Sequence, residues 1–374
     1  MKLTYKFNND ENKLDIQKLE YLNPGSVEFY FREGDSIYVK EGDNVCVNQL
    51  LIESSSGIKT YSSVAGVVSV RENTLVITND YTELTLISEE AIRDINELKK
   101  DEIISICEKI GISFENRLIA NKLKANSKIL VINAMDVEPY QFNSNYLLQD
   151  NIKNMLDVID LLSKRFNLNS YLFLNKYYYN NVAVVNEKID YYKDIHFKVI
   201  NDVFPFTTNG VIAKKYFKEY KLEEILFLDA LSLYKIFVAL KERLPVSNKF
   251  ITVMLNDPSK SYVINTKYGS NLKKAIVDSF KPDFENKDIY LNNFMRKAKC
   301  DNFDSLVVDD NIKSVYIFDK MENNPSKCIK CGKCVDICPV GINPTAKKLD
   351  AACIRCGLCN YVCPANINLI SREK

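Results

Sequence analysis

Apolar and polar positions change their rhythm three times along this chain. Residues 25–86 run in short alternating stretches, Val27–Phe31, Gln49–Glu53, Val67–Val70 and Leu75–Thr78, separated by turn residues, which predicts strands. Two Gly-Asp pairs, Gly34-Asp35 and Gly42-Asp43, sit eight residues apart, and together these features predict a small barrel or sandwich. The middle of the chain mixes helical and strand periods. Residues 102–110 read as a helix with Asp101 as N-cap and Gly111 as its stop. Lys128–Asn133 reads as a buried strand. Leu148, Ile152, Met155, Leu156, Ile159 and Leu162 form one helical stripe, and Val182, Val185, Ile189 and Tyr192 form another. Tyr171–Leu174, His196–Ile200 and Ile225–Leu228 read as strands and Leu231–Lys241 as a helix, an order that predicts an open, largely parallel sheet with covering helices. Residues 245–320 predict a small α+β unit: strands Ile251–Leu255, Tyr262–Asn265 and Val315–Phe318 around the helix Asn271–Ser279.

Composition narrows the class. Of 374 residues, 46% are hydrophobic and 26% charged, and 50 basic against 49 acidic side chains leave a net charge of +1, so neither a nucleic-acid binder nor an acidic tail is indicated. The opening MKLTYKFNNDENKLD is charged and carries no apolar stretch of a secretory signal. The most apolar stretch, Ile225 to Leu240, is interrupted by Asp229, Ser232 and Lys235 and falls short of the ~18 apolar residues of a membrane span. The expected location is the cytoplasm, with peripheral attachment to the membrane only through a partner. The single histidine, His196, lies between Ile195 and Phe197 in a strand-like run and reads as structural; serine-histidine catalysis and multi-histidine metal sites are disfavoured.

Cysteine carries the chemistry. Cys46, Cys107 and Cys300 are scattered and lack partner spacing. The other eight fall after the polar linker Glu322-Asn323-Asn324-Pro325-Ser326 as two matching runs. The first is Cys328-x2-Cys331-x2-Cys334-x3-Cys338-Pro339 and the second Cys353-x2-Cys356-x2-Cys359-x3-Cys363-Pro364. In this spacing three thiolates wrap one [4Fe–4S] cubane and the fourth, followed by Pro, crosses to the other. Cluster I then takes Cys328, Cys331, Cys334 and Cys363, and cluster II takes Cys353, Cys356, Cys359 and Cys338. Gly332 and Gly357 let the backbone close on each cluster. A zinc site needs only four thiolates and explains neither the third cysteine of each run nor the Cys-Pro endings. Lys330, Lys333 and Arg355 flank the ligands, either as a solvated face or as a patch that steers an acidic partner.

With these runs in place, the remaining segments resemble RnfC, the electron-input subunit of the Rnf ion-pumping complex, over nearly the full length. EGDNVCVNQLLIE and TYSSVAGVVSV, within 41–70, are similar to the RnfC barrel-sandwich hybrid; NAMDVEPYQFNSNYLLQ, 133–149, to its stretch around Glu-Pro-Tyr in a Rossmann-like core of the complex I NADH-binding type; and 243–276 to its β-grasp SLBB segment. The resemblance implies four units: 1–90 barrel-sandwich hybrid, 91–242 α/β core, 243–320 SLBB-like, and 325–374 dicluster ferredoxin. It also implies that Glu138 lines a flavin and nucleotide pocket.

The chain departs from the family at three glycine-bearing places. A phosphate-cradling loop of the type GxGGxGFP is here Lys109–Arg117, with one glycine and Glu115 in it; a YPQGGE-type segment is Phe204–Gly210; a third glycine-rich stretch is Leu291–Arg296. The 14-residue spacer between Cys338 and Cys353 is shorter than is usual in that family. The reading favoured is a flavin-free relay passing single electrons through the two clusters between a redox partner and a reductase, similar to the soluble RnfC-like proteins that accompany proline reductase or cobalamin reduction. The alternatives are an NADH-oxidising RnfC with FMN, and an adaptor that uses its clusters only as staples.

Overall fold

The central strand, Ile129–Asn133, is buried on both sides, and its alternating side chains feed two cores. Leu130 and Ile132 face the helices Asn143–Phe166 and Ala230–Glu242, while Ile129 and Val131 face the helix Asn209–Tyr216 with Phe217. The computed structural model describes residues 15–87, 94–176, 179, 191–200, 203–257, 260–320 and 326–371. The strand order is Ile195–Ile200, Asn169–Asn175, Ile129–Asn133, Ile225–Asp229, all parallel. This is the open parallel sheet with covering helices that the periodicity predicts. The helical stripe predicted at Val182, Val185 and Ile189 lies outside the described residues. His196 is exposed on the edge strand, its ring 4.8 Å from that of Tyr171.

Before this sheet, two small antiparallel sheets face each other across a core of Val27, Leu51, Val68, Leu75 and Ile77. After it comes a five-stranded mixed sheet in the order Asp15–Tyr21, Lys260–Lys267, Asn248–Met254, Ser314–Asp319, Lys287–Leu291, backed by the helix Leu272–Phe280. Asp15–Tyr21 departs from the predicted division at residue 90, because it leaves the N-terminal unit and pairs in parallel with Lys260–Lys267, from Asp15↔Lys260 to Tyr21↔Thr266. A second correction concerns Asp101. The helix runs Lys100–Ile110, so Asp101 lies in its first turn; Lys99 is the N-cap, and its N–H is satisfied by the Glu102 carboxylate at 2.8 Å. Gly111 closes the helix in the left-handed conformation, φ 69°.

Residues 326–371 form the last unit. Of the linker named above, 322–325 lie outside the described residues. The unit has two four-residue helices, Lys333–Asp336 and Leu358–Tyr361, each opened by a left-handed glycine. No helix among the described residues is long and apolar enough to cross a membrane.

Candidate functional site

The two cysteine runs fold the same way. Gly332 and Gly357 have φ of 79° and 87°, Lys330 and Arg355 have φ of 57° and 51°, and these left-handed turns bend each loop back on itself. The backbone N–H of Lys330 donates to Cys328 Sγ and that of Arg355 to Cys353 Sγ, both at 3.4 Å. Cys328, Cys331, Cys334 and Cys363 line one cavity, of ≈ 190 Å³. Cys338, Cys353, Cys356 and Cys359 line a second, more closed one of ≈ 20 Å³. The fourth cysteine of each run therefore stands with the first three of the other. Among the described residues no three His, Cys, Asp or Glu side chains converge on one point as a single ion requires. Each cavity is lined by four thiols, the number and kind of donor that one [4Fe–4S] cubane takes.

Burial raises the thiols of Cys334, Cys356 and Cys359, the last two to about 11 and about 12, and binding a cluster as thiolates would release those protons. Cys107 is buried, and its thiol is likewise pushed up, to about 12; Cys46 and Cys300 are half-buried in other units.

The second run is seated on the five-stranded sheet's turn Asn293–Arg296. Asn293 is buried, and its amide donates both to Glu138 Oε2 at 2.8 Å and to the carbonyl of Cys356 at 3.2 Å. Its Oδ1 accepts the N–H of Met295. Asn360 is fully buried; it donates to the Arg296 carbonyl at 3.4 Å, and its Oδ1 accepts from the N–H of Leu369 at 2.7 Å. Phe204, Met295, Ile337, Leu358, Leu369 and Ile370 form the core of this seat. Asn293 and Met295 fall in the stretch Leu291–Arg296 that the resemblance marks as a departure, but nothing local shows that they seat the second run; Asn360 carries no signal of its own, because its partners Arg296 and Leu369 lie elsewhere along the chain.

Glu138 belongs to the same seat. Besides Asn293 it meets Arg296 Nη2 at 3.1 Å. Burial raises its carboxyl, with Arg296 and Asn293 opposing. A large cavity, ≈ 690 Å³, opens nearby at the C-terminal ends of Ile129–Asn133 and Ile225–Asp229, where the strand order changes direction. Asn133, Asp136, Asp229 and Lys313 line it; Glu138 does not. At its rim, where the resemblance implied a glycine loop, Ser113–Phe114 and Arg117–Leu118 pair as a two-residue hairpin with Glu115 and Asn116 at φ 51° and 58°. The Glu115 carboxylate sits 3.6 Å from Lys122.

Two family models match the cysteine runs, both described as 4Fe-4S binding domain, over residues 321–342 and 353–367. The C-terminal segment is therefore a pair of ferredoxin-type 4Fe–4S binding domains, and the chain is an iron–sulfur protein of electron transport. No curated protein matches the chain. Among solved structures it is similar to an NAD+-reducing [NiFe]-hydrogenase in the air-oxidized state, at 11% identity and TM-score 0.47, over 60% of this chain and 48% of that one. The H2-reduced state gives 11% and 0.48, over 59% and 47%. The chain spans about half the length of these neighbours.

Proposed function

We propose that this protein is a flavin-free electron relay of the RnfC-like kind, passing single electrons through two [4Fe–4S] clusters between a redox partner and a reductase. Cluster I is held by Cys328, Cys331, Cys334 and Cys363, and cluster II by Cys353, Cys356, Cys359 and Cys338. The observation that carries this is the sorting of the eight cysteines into two cavities of four, each completed by the last cysteine of the other run. When bound, the clusters supply one-electron redox chemistry. The chain's own residues hold the thiolates, fix the loops through left-handed glycines, exclude water around Cys338 and Cys359, and seat the second run on Asn293.

The rest of the chain supports a scaffold role. A glutamate-tipped hairpin stands where a phosphate cradle would need glycines, and Glu138 is engaged by Arg296 and Asn293. In this reading the N-terminal sheets are the barrel-sandwich hybrid and the five-stranded sheet is the SLBB-like unit, with the protein working in the cytoplasm or bound to a membrane complex through its partner. The ≈ 690 Å³ cavity favours a second reading, an NADH-oxidising subunit with FMN. One anaerobic experiment separates them. The purified holoprotein receives FMN and then NADH, with dithionite as control, and cluster reduction is followed by EPR. Reduction by dithionite alone is the result expected. Reduction by NADH would establish the second reading, and clusters that dithionite cannot reduce would leave only a structural role.

A further inference from the structure

The two cysteine runs are copies of one another, CIKCGKCVDICP at 328–339 and CIRCGLCNYVCP at 353–364, with the same turns and the same helix. Their surroundings differ sharply. In the second copy the helix face is spent on the body of the protein. A Cβ on Gly357 would meet the Met295 backbone carbon at 2.6 Å, while Leu358 is 3% and Asn360 0% exposed. In the first copy the equivalent positions are Gly332, Lys333 and Val335. No protein atom lies within 4 Å of a Cβ on Gly332, Lys333 is exposed, and Val335 is 38% exposed. Beside them Ile329 is 65% exposed, and both Cys328 and Cys331 are exposed. The face that one copy uses for docking is thus open on the other, with two exposed apolar side chains, Ile329 and Val335, in a segment that also exposes Lys327, Lys330 and Lys333.

Charge says what covers it. Over residues 326–371 six Lys and Arg stand against two Asp, and the two clusters with their thiolates, about −2 each when oxidised, offset that excess, so the positive charge that matters is local: Lys327, Lys330 and Lys333 beside Asp336. A basic rim beside exposed apolar side chains fits an acidic surface and steers it in from a distance. We propose that this face docks an acidic one-electron carrier protein, and that the cluster bound by Cys328, Cys331, Cys334 and Cys363 is the port through which electrons enter or leave, with the second cluster facing the body. This rests on the relay reading above. The step is a single outer-sphere transfer. The carrier's reduced cofactor loses one electron and the cluster gains it, or the reverse, with no bond made or broken.

The test uses the holoprotein and, as probe, reduced flavodoxin, an acidic one-electron carrier, mixed anaerobically while cluster bleaching is followed. Lys330→Glu with Lys333→Glu reverses the rim. Lys214→Glu with Lys218→Glu makes the same charge change on the α/β unit. Expected are a fall of about tenfold or more in the second-order rate for the rim variant at low salt, a flattened ionic-strength dependence, and little change for the control. Full dithionite reduction of both clusters in every variant shows that the sites are intact. Equal rates in rim variant and wild type, or equal losses in rim variant and control, overturn the docking face while leaving the relay standing. A rim-dependent doubling of the mass in solution, or rim-dependent binding to anionic vesicles, overturns it in favour of a second copy or a membrane. Clusters that dithionite cannot reduce overturn the relay and the port together.

Discussion

Replacing each of the two glycines by alanine isolates the contact that seats the second run. Gly332 and Gly357 occupy equivalent places, both left-handed, at φ 79° and 87°. Any L-residue there pays for that conformation, about 1–2 kcal/mol, partly offset because alanine also restricts the unfolded chain. The two sites differ only in what the new methyl meets. At Gly332 it meets no protein atom within 4 Å, and the cluster that each of the two loops would wrap is common to both sites. At Gly357 it meets backbone on three sides, the Met295 carbon at 2.6 Å, its oxygen at 2.7 Å and the Arg296 nitrogen at 2.8 Å. Backbone cannot swing aside as a side-chain end can. The turn Asn293–Arg296 must move, and with it Met295, which is 1% exposed in the shared core. Forcing an extra methyl into such packing costs roughly 1–3 kcal/mol. Gly332→Ala should therefore fall within about 1 kcal/mol of wild type, and Gly357→Ala should lie lower by roughly a further 1–3 kcal/mol. Urea unfolding under anaerobic conditions, read by cluster absorbance, measures the difference. Limited proteolysis locates it, since only Gly357→Ala should release the C-terminal module from the body. Equal losses in the two variants would refute the argument, because strain common to both turns would then explain everything.

Two further expectations come from the charged network between the helix Ala230–Glu242 and the five-stranded sheet. Burial raises the Asp310 carboxyl, but Lys235 at 2.6 Å and Lys249 lower it more, to about 2. Its folded value thus lies below its unfolded 3.8, so its stabilisation is present above about pH 4 and lost between about pH 4 and 2. The side chain keeps 40% exposure and solvent screens it, so Asp310→Asn should remove only about 1 kcal/mol of acid-sensitive stability, read as a flatter unfolding midpoint between those pH values. Lys249 is the opposite case. It is buried on the carbonyls of Asp309 and Ile312, both at 2.8 Å, and burial lowers its ammonium to about 8 despite Asp310. Between about pH 8 and 10.5 the unfolded chain binds the extra proton, so this residue makes stability rise with pH by roughly 3 kcal/mol over that window. The difference between wild type and Lys249→Met from pH 8 to 10 should show that slope; parallel curves would refute it.

What was legible in the sequence followed the range of the interaction. The cysteine runs are local, and their spacing alone leads to the two cavities. The buried strand Lys128–Asn133 and its helices were legible because uninterrupted apolar residues and a 3.6-residue stripe need no partner to be recognised. Asp15–Tyr21 was missed because DIQKLEY carries Asp15, Lys18 and Glu20 and becomes a strand only by pairing with residues some 245 positions away in the chain. Lys287–Leu291 was missed for the same reason; KDIYL shows its period of two only once Asp288 and Tyr290 are known to be buried. The Asp101 error was local. An acidic residue favours both the N-cap and the first turn, and it was Glu102 reaching back to Lys99 that fixed the start.

Two of the three stretches that the resemblance singles out, Phe204–Gly210 and Leu291–Arg296, meet at one point in space. Phe204, from one, packs with Met295, from another, in the core under the second cysteine run, and Asn293 carries the hydrogen bonds that tie Glu138 to Cys356. The residues at these two places hold the cysteine module against the body of the protein. Asn293→Gly tests this. It removes two donated bonds and the bond accepted from Met295, orphaning buried partners at about 1–3 kcal/mol and adding chain entropy of roughly 0.5–1 kcal/mol. The variant should loosen the module, raise its protease sensitivity and shift the EPR signal of the second cluster more than that of the first, while NADH with FMN still leaves both clusters oxidised. Should this one glycine bring NADH-dependent reduction, Asn293 would be a plug in a working cofactor site, and the scaffold reading of the α/β core would be wrong.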